Sequence, residues 1–477
     1  MPEMLENLKN VATAMLFFCG LSIPSYAQTF HTLVTFDSTS GCDPKYEALV
    51  QGTDGHLYGT TSAGGSANNG TAFKTTTGGG DGFTTLSDFT PSAASPYSGL
   101  IQGLDGNFYG TTAYGGTNGG GTIYKLTPGG ELTVLYNFSG TDGDEGNGYF
   151  PYGQLVQAAN GAFYGTTFEG GGTEQTSKCT HGCGTIFEIT PAGEFTLVHS
   201  LVSSEGGESY AGLTIGTDGN FYGTASAFGE YKYGTVFQMS PSGTITVLHS
   251  FDVTDGAAPY GGLVQGADGS FYGTTYGGGT SGYDAGTVFK VTASGTFTNL
   301  HNFSGPDGEH PEGTLIQGTD GNFYGTTFDI GGFDSIGNVF QITPGGTFTV
   351  VHSFPYSSGE GYPEGGLLQD TNGTFYGTTG QLPHSTSCSG TIFSLSTGLG
   401  PFVTPQRVSG PVGGKVTILG TNLTGATAVS FNGMPATFTA TGSAIDTAVP
   451  ANATSGTITV TLPSGTLSSN VPFTVTQ

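Results

Sequence analysis

The stretch Asn322-Phe323-Tyr324-Gly325-Thr326-Thr327 recurs in nearly the same form along almost the whole chain. Its tyrosine is found seven times, with successive spacings of 51, 55, 58, 50, 52 and 52 residues, at Tyr58, Tyr109, Tyr164, Tyr222, Tyr272, Tyr324 and Tyr376. A fixed period of this size indicates a repeated supersecondary unit that buries its apolar face against its neighbours. The period therefore decides the architecture, a single array of repeats over residues 28–398.

Each unit contains four runs of strand-like composition. In the unit at 259–303, the pairs Asp268-Gly269 and Ser294-Gly295 separate short runs that are rich in aromatic and β-branched residues. These pairs tolerate the positive φ that tight hairpin turns require. Four antiparallel strands in each of seven units predict an all-β fold, a β-propeller with seven blades.

The two ends of the array complement each other. The seventh unit has three strand-like runs, at 366–369, 374–379 and 390–395, but no fourth. The missing pattern lies at the other end of the chain, where residues 29–36 resemble the fourth run of the sixth unit, residues 347–354. We therefore expect the N-terminal strand to complete the last blade and close the ring, which removes exposed sheet edges.

Composition and charge exclude several classes of partner. The chain has 87 glycines, but its 34 phenylalanines and 23 tyrosines provide the core that a disordered chain lacks. Nine Lys and Arg residues against 35 Asp and Glu give a net charge of −26, without any basic cluster. Nucleic acids and anionic membrane surfaces are therefore unsuitable partners, because both are bound through basic patches.

The N-terminus has the pattern of an export signal. Residues 11–23 form an apolar run too short to span a bilayer, and Ser25-Tyr26-Ala27 supplies the small residues of a cleavage site. We expect cleavage after Ala27, so that residues 1–27 are a signal peptide and the mature protein is secreted, periplasmic or at the cell surface. No membrane insertion is expected after cleavage.

Two disulfides are predicted in this oxidising compartment. Cys42 follows the N-terminal strand and Cys388 lies in a loop of the same closing blade, so the closed ring would bring them together. Cys179 and Cys183 flank Thr180-His181-Gly182 and are expected to form a local bridge. The alternative, a metal site of Cys179, His181 and Cys183, lacks a fourth ligand.

Beyond the array, residues 399–405 contain Pro401 and Pro405 and are predicted to be a linker. From residue 406 the chain has little charge and contains short strand-like runs such as Lys415-Val416-Thr417-Ile418-Leu419. Strands at this spacing over residues 406–477 predict a small β-sandwich.

Both regions resemble known families. The Gly-Asn-Phe-Tyr-Gly-Thr-Thr signature, followed by Gly-Thr-Val-Phe-Lys, resembles the GloVer tandem repeat of bacterial exported proteins over about residues 29–398. The segment from Gly414 through Asn422-Leu423 to Val449-Pro450 resembles an IPT/TIG domain, which implies an immunoglobulin-like fold. Such modules usually serve as spacers or ligand-presenting arms, and neither resemblance implies a particular reaction.

One position per unit is a candidate binding site. The long loops are expected on one face of the ring, and on that face one residue precedes each first strand, where it should line the mouth of the central channel. We call this set the collar: Lys45, Tyr97, Tyr152, Tyr210, Tyr260, Glu312 and Glu364. Tyrosine rings could stack on sugar faces while the acids accept hydroxyl donors, although packing against neighbouring loops is the alternative.

The sequence leaves the chemistry at this mouth open between two classes. The first interpretation is a non-enzymatic recognition or scaffold protein, expected to be a monomer, that binds an extracellular glycan or protein. The alternative is a carbohydrate-active hydrolase or lyase that uses Glu312 and Glu364 as an acid and base pair. No catalytic triad or nucleotide-binding loop is found.

No cofactor is expected, with one alternative. The carboxylates of residues 142–145 and of Asp307 and Glu309 could bind Ca²⁺, or they could simply form solvated acidic loops.

Overall fold

The structure, a computed structural model, describes residues 28–45, 48–139, 148–172, 179–280, 284–329, 335–356, 360–381 and 388–476. The predicted signal peptide, residues 1–27, and the acidic run at 142–145 lie outside the described residues. Within the described ranges the fold is all-β and contains no α-helix, only short 3-10 turns such as Gly80–Gly82 and Leu423–Gly425.

The repeat region consists of four-stranded antiparallel sheets, seven among the described residues. The first three repeats supply β2 (Val50–Gln51), β3 (Leu57–Thr61), β4 (Thr71–Thr75) and β5 (Thr84–Asp88); β6 (Ile101–Gln102), β7 (Phe108–Thr112), β8 (Thr122–Leu126) and β9 (Leu132–Asn137); and β10 (Val156–Gln157), β11 (Phe163–Thr166), β12 (Thr185–Ile189) and β13 (Phe195–Ser200). The next three supply β14 (Thr214–Ile215), β15 (Phe221–Ala225), β16 (Thr235–Met239) and β17 (Ile245–Ser250); β18 (Val264–Gln265), β19 (Phe271–Thr275), β20 (Thr287–Val291) and β21 (Phe297–Asn302); and β22 (Ile316–Gln317), β23 (Phe323–Thr327), β24 (Ser335–Ile342) and β25 (Phe348–Pro355).

The last sheet of the array combines both ends of the chain. It contains β26 (Leu368–Gln369), β27 (Phe375–Thr379) and β28 (Thr391–Ser396), and its fourth strand is the N-terminal β1 (Thr29–Thr35). β1 pairs antiparallel with β28 along six residue pairs, as the strand patterns of the two ends predict. It also carries a register shift, as do the third and fourth strands of the other repeat sheets.

The repeated motif explains how one sheet packs on the next. Its tyrosine stacks on the motif phenylalanine of the following repeat, as for Tyr222 on Phe271 with ring centroids 3.7 Å apart. The tyrosine hydroxyl donates a hydrogen bond to the aspartate of the preceding tight turn, at 2.8 Å for Asp218. The motif tyrosine therefore packs one sheet against the next and also stabilises the hairpin of its own repeat.

The motif glycine is required by close packing within the sheet. A Cβ atom on Gly223 would lie 2.6 Å from the ring of Phe237, and one on Gly273 would lie 2.6 Å from the ring of Phe289. The second threonine of the motif bonds a threonine of the third strand, as in the Thr275 and Thr287 pair at 2.9 Å. The motif is thus structural throughout, and it places apolar rings where the sheets meet.

The C-terminal region forms a sandwich of two four-stranded sheets. One sheet contains β29 (Val403–Pro405), β31 (Lys415–Gly420), β35 (Ala444–Ala448) and β34 (Phe438–Ala440); the other contains β33 (Met434–Ala436), β32 (Ala428–Phe431), β36 (Ile458–Leu462) and β37 (Gly465–Ser468). A parallel pair, β30 (Ser409–Pro411) and β38 (Thr474–Thr476), flanks them. β29 falls within the segment assigned to a linker by sequence, because Val403 is fully buried in the sandwich core despite the prolines around it.

The sandwich packs on the tight turns of the repeat sheets. Gln406 donates to the Gln102 side chain at 3.1 Å, and Ser443 donates to the Thr53 carbonyl at 2.6 Å. Thr421 and Thr371 exchange a hydroxyl hydrogen bond at 2.9 Å. We call this surface, built from the turns between first and second strands, the tight-turn face; the C-terminal domain covers part of it.

Both predicted disulfides are present. Cys42 and Cys388 are bridged with Cα atoms 5.2 Å apart, across a sequence separation of 346 residues. Cys179 and Cys183 are bridged locally, which confirms the disulfide over the metal-site alternative.

Removal of the long-range bridge should cost far more stability than removal of the local one. For Cys42→Ser with Cys388→Ser we expect the free energy of unfolding to fall by about 5 kcal/mol, because cross-linking a loop of hundreds of residues removes much entropy from the unfolded chain. The matched control, Cys179→Ser with Cys183→Ser, should cost only about 2 kcal/mol by the same relation. Denaturant unfolding of both double variants measures the difference, and equal losses would contradict it.

Candidate functional site

Six of the seven collar residues follow a backbone conformation that is unusual for a residue with a side chain. Two positions before six of the seven collar residues, the backbone has a positive φ between 52° and 59°, at Asp43, Ser95, Phe150, Glu208, Ala258 and His310. Left-handed conformations at non-glycine residues cost free energy and persist only where the surrounding structure enforces them. The same backbone turn therefore recurs before these collar residues and places them at the same end of the first strands.

The repeated motif also holds the backbone that follows the collar residue, through a hydrogen bond from a threonine side chain. In five of the seven repeats its first threonine donates a hydroxyl hydrogen bond to the carbonyl one residue past the next collar position, for example Thr166 to Ala211 at 2.8 Å, Thr224 to Gly261 at 3.1 Å and Thr326 to Gly365 at 2.8 Å. Because the motif is part of the sheet core, these bonds transmit its rigidity to the collar.

The four tyrosines of the collar form a continuous aromatic arc. Ring centroids are 5.7 Å apart from Tyr97 to Tyr152, 5.2 Å from Tyr152 to Tyr210 and 4.6 Å from Tyr210 to Tyr260. All four side chains are half-buried, so part of each ring remains in contact with solvent. The structure therefore brings together four positions that are more than 160 residues apart along the chain at their extremes.

The remaining collar residues form a charged arc. The Lys45 Nζ atom lies 3.7 Å from a carboxylate oxygen of Glu364 and 3.3 Å from one of Asp43. Glu312 lies within electrostatic range of Glu364, of Lys45 and of Tyr260, which joins the two arcs. Each collar residue thus lies near the next one in sequence order.

Burial changes the acidity of both carboxyl groups. Glu312 is removed from solvent and stands near the charge of Glu364, and together these effects raise the pKa of Glu312 to about 8. Burial likewise raises the pKa of Glu364 to about 7, while the ammonium of Lys45 opposes the shift. At neutral pH the pair can therefore both donate and accept hydrogen bonds.

A second set of aromatic residues packs against the tyrosines of the arc. The sequence analysis did not identify these residues. Tyr114 packs against Tyr97, Phe168 against Tyr210 and Tyr276 against Tyr260, with ring centroids 4.8 to 6.1 Å apart. These residues directly follow the motif or stand one residue beyond it. That offset was a usable signal, because an aromatic side chain recurs there in several repeats.

The other candidate positions have structural partners. The His301 ring bonds Asp307 at 2.9 Å and stacks on Phe348 of the next repeat at 4.0 Å, and His249 does the same with Asp255 and Phe297. The Asp307 carboxylate already bonds the His301 ring, which favours a structural role over Ca²⁺ binding there. Among the described residues no group of three or more His, Cys, Asp or Glu side chains is arranged to hold a metal ion.

The fold and the site define a class: an all-β repeat protein, β-propeller-like, with an immunoglobulin-like C-terminal domain. Comparison with known families agrees. Residues 21–226 and 172–393 match the Gloeobacter/Verrucomicrobia repeat, and residues 402–477 match the IPT/TIG domain. The chain belongs to the Gloeobacter/Verrucomicrobia repeat family and carries a C-terminal IPT/TIG domain.

Similar solved structures are distant in sequence. A fungal alcohol oxidase of the AA5 family, solved in complex with copper, is 15% identical, with 94% of this chain and 99% of that chain covered and a TM-score of 0.51. A putative gluconolactonase is 14% identical over 79% of this chain and 94% of its own, with a TM-score of 0.38. A putative 6-phosphogluconolactonase from Bacteroides uniformis is 14% identical over 68% and 88%, with a TM-score of 0.41.

Of these three, the alcohol oxidase alone has a TM-score above 0.5, and at 15% identity it supports the fold alone. A search of curated proteins finds no match. In the part of the chain that the structure describes, no helix has the length and apolar character needed to cross a membrane.

The raised pKa of Glu312 makes stability depend on pH. Between its ordinary pKa of 4.5 and its folded value of about 8, the folded chain holds a proton that the unfolded chain has released. The stabilisation from this group is complete below pH 4.5 and is lost as the pH rises through about 8. Replacement by a neutral amide, Glu312→Gln, should therefore raise the melting temperature more at about pH 9 than at about pH 5, by about 2 °C.

Differential scanning fluorimetry across this pH range measures the effect. The control Glu194→Gln replaces an exposed glutamate on a hairpin turn and should give the same small change at every pH. A pH-independent effect of Glu312→Gln would show that this carboxyl does not hold its proton in the folded state.

Proposed function

We propose that this chain is an exported recognition protein, a closed seven-bladed propeller that binds a glycan at its collar. The C-terminal IPT/TIG domain acts as an arm on the opposite, tight-turn face. The observation that carries the proposal is the collar itself, a ring of four tyrosines, two carboxyl groups and one lysine around one opening.

Contacts between the first and last repeats support the closure. Gln51 donates to the Thr371 hydroxyl at 2.8 Å and accepts from its backbone N–H, as Gln369 does with Thr319 one repeat earlier. Phe30 of β1 stacks on His352 of the sixth repeat with centroids 4.0 Å apart, the same contact that Phe348 makes with His301, so β1 takes the place of a fourth strand in the last sheet. The glutamine contact between the last and first repeats thus matches the one at the preceding junction.

The centre of the array also fits a ring. A cavity of about 330 Å³ is lined by residues from the first strands of all seven repeats or beside them, mostly aliphatic, such as Leu49, Leu213 and Leu367. In a closed propeller this is the central channel. Its apolar wall would direct a polar ligand to the collar at its mouth.

The chemistry of the collar fits a polyhydroxylated ligand. Half-buried tyrosine rings offer flat apolar faces for the C–H surface of a sugar, and their hydroxyl groups can donate or accept hydrogen bonds. Glu312 and Glu364, with pKa values of about 8 and 7, can accept from sugar hydroxyls or donate to them near neutral pH. The rigid turns beneath the collar would limit the entropy lost on binding.

Export follows from the cysteine chemistry. Two disulfides are expected to persist in an oxidising compartment, in agreement with the export signal that we infer for residues 1–27. With a net charge of −26 the chain would remain soluble there, and we propose that it acts as a monomer.

Loss of two collar tyrosines should weaken glycan binding strongly without unfolding the chain. For Tyr152→Ala with Tyr260→Ala we expect the affinity for the bound oligosaccharide to fall at least about tenfold, because each ring contributes stacking area at the mouth. The measurement is a screen on an array of neutral oligosaccharides, followed by calorimetry with the strongest binder.

The matched control is Tyr231→Ala with Tyr356→Ala, which removes two exposed tyrosines outside the collar. Circular dichroism should be unchanged for both double variants. Equal affinity of the collar variant and the wild type, or binding only to protein probes, would contradict a glycan site at the collar.

One observation favours a second candidate, a carbohydrate-active hydrolase or lyase. Glu312 and Glu364 are adjacent acids whose pKa values are raised to about 8 and 7, the range in which a carboxyl group can exchange protons in catalysis. Glu312 would hold its proton as the acid, and Glu364, paired with Lys45, would be the base.

Measurement of product formation distinguishes the recognition role from the hydrolase or lyase role. If the second candidate holds, incubation with each bound oligosaccharide should release reducing ends or unsaturated products, and Glu312→Gln or Glu364→Gln should lower the rate at least about a hundredfold. Glu194→Gln, an exposed glutamate outside the collar, is the control. Binding without any product over hours would exclude this candidate and leave the recognition role.

A further inference from the structure

The C-terminal domain leaves open space where it meets the repeat sheets. A cavity of about 630 Å³ lies between the tight-turn face and the first residues of this domain. A second cavity of about 900 Å³ lies between Leu104 and Ala159 of the repeat region and the sandwich sheet that contains Lys415. Arg407 lines both cavities, and neither includes a residue of the collar.

Arg407 is the single arginine of the sequence, and among the described residues no carboxylate perturbs it. Its Nε and Nη2 atoms are buried and make no hydrogen bond within the described part of the chain. Burial lowers the pKa of its guanidinium group, and no neighbouring carboxylate opposes that shift. Arg407 as a whole is half-buried, and two buried N–H groups without an acceptor are unusual, because buried polar groups are normally hydrogen-bonded.

Two glycines make room for this guanidinium. A Cβ atom on Gly410 would lie 3.1 Å from its Cζ and Nη2 atoms, and one on Gly414 would lie 2.8 Å from its Nη2 atom. Neither glycine has a positive φ. At Gly410 the arginine side chain therefore fills the space that a Cβ would need, whereas at Gly414 a Cβ would also lie 2.8 Å from the Pro411 carbonyl oxygen.

The rest of the 630 Å³ cavity is largely apolar. Its wall includes Ile101, Val156, Leu213, Ile215, Phe221 and Val408. The one carboxylate in the wall, Asp218, already accepts hydrogen bonds from Tyr222 and Asn220. A single cation above an apolar wall is the pattern of a site that orients an amphipathic ligand through one charged contact.

We propose that this cleft binds a small monocarboxylate with an apolar body. The carboxylate would accept a hydrogen bond from the part of the half-buried Arg407 guanidinium that solvent reaches, and the body would lie on the aliphatic side chains of the first strands. A polyanion is disfavoured because the net charge of −26 repels it, whereas one negative charge can be offset locally. This second site is independent of the collar and of the function proposed for it.

Calorimetry on the full mature chain with three probes tests the ligand class. Octanoate has both the charge and the apolar body, octan-1-ol lacks the charge, and acetate lacks the body. We expect octanoate to bind at least about tenfold more tightly than either of the others. Equal binding of octan-1-ol or of acetate, or no binding of octanoate, would overturn the proposal.

Two variants test the role of Arg407. Arg407→Met keeps the length of the side chain and should weaken octanoate binding at least about tenfold, while stability without ligand is unchanged or higher because an unpaired buried charge is removed. Val408→Glu places a carboxylate beside the arginine and should also abolish octanoate binding. The control Lys232→Met removes an exposed cation elsewhere and should bind as the wild type does.

If both variants bind octanoate with wild-type affinity, the carboxylate does not contact Arg407 and the proposal fails. It also fails if Arg407→Met destabilises the unliganded chain strongly, because the arginine would then be a structural element with a partner in the folded protein.

Discussion

The contact on which the structure depends is the stacking of one motif tyrosine on the phenylalanine of the next repeat. Ring centroids at six successive junctions are between 3.7 and 4.4 Å apart. At the junction of the last repeat with the first, Tyr376 shares a core cluster with Leu57, which stands where the other repeats have phenylalanine. Because the rings bury large apolar areas between sheets, this contact sets both the spacing and the relative tilt of the repeats.

The same motif connects the core with the surface at which we propose binding. Its tyrosine and glycine face the sheet interior, whereas in five repeats its first threonine holds the backbone next to a collar residue of the following repeat. The backbone carbonyls that the motif holds therefore lie only one or two peptide units from the collar residues. This explains why the collar can vary from tyrosine to glutamate to lysine between repeats while its position stays constant: the backbone is fixed by residues that do not change.

The architecture could be predicted from the sequence because it depends on local and periodic signals. The spacing of the tyrosines, the Asp-Gly turns and the match of residues 29–36 to a fourth strand predicted four-stranded units, the pairing of β1 with β28 and the bridge of Cys42 to Cys388. The start of the C-terminal domain was harder to place. Pro401 and Pro405 suggested a linker, but burial of Val403 in the sandwich outweighs the loss of backbone donors on an edge strand.

The candidate site was predicted less completely, for a physical reason. Periodicity identified the seven collar positions, but the burial that shifts the acidity of Glu312 depends on how loops from several repeats pack together. Arg407 gave no signal, because an unpaired charge is recognised only when its surroundings are known.

The bridge between Cys42 and Cys388 also affects how the protein would withstand damage outside a cell. Any single cut by a protease between these residues would leave two pieces that are still covalently joined and still interlocked through the shared sheet of β1 and β28. A molecule cut once would therefore remain a single particle, and its proposed binding surface would persist after the cut.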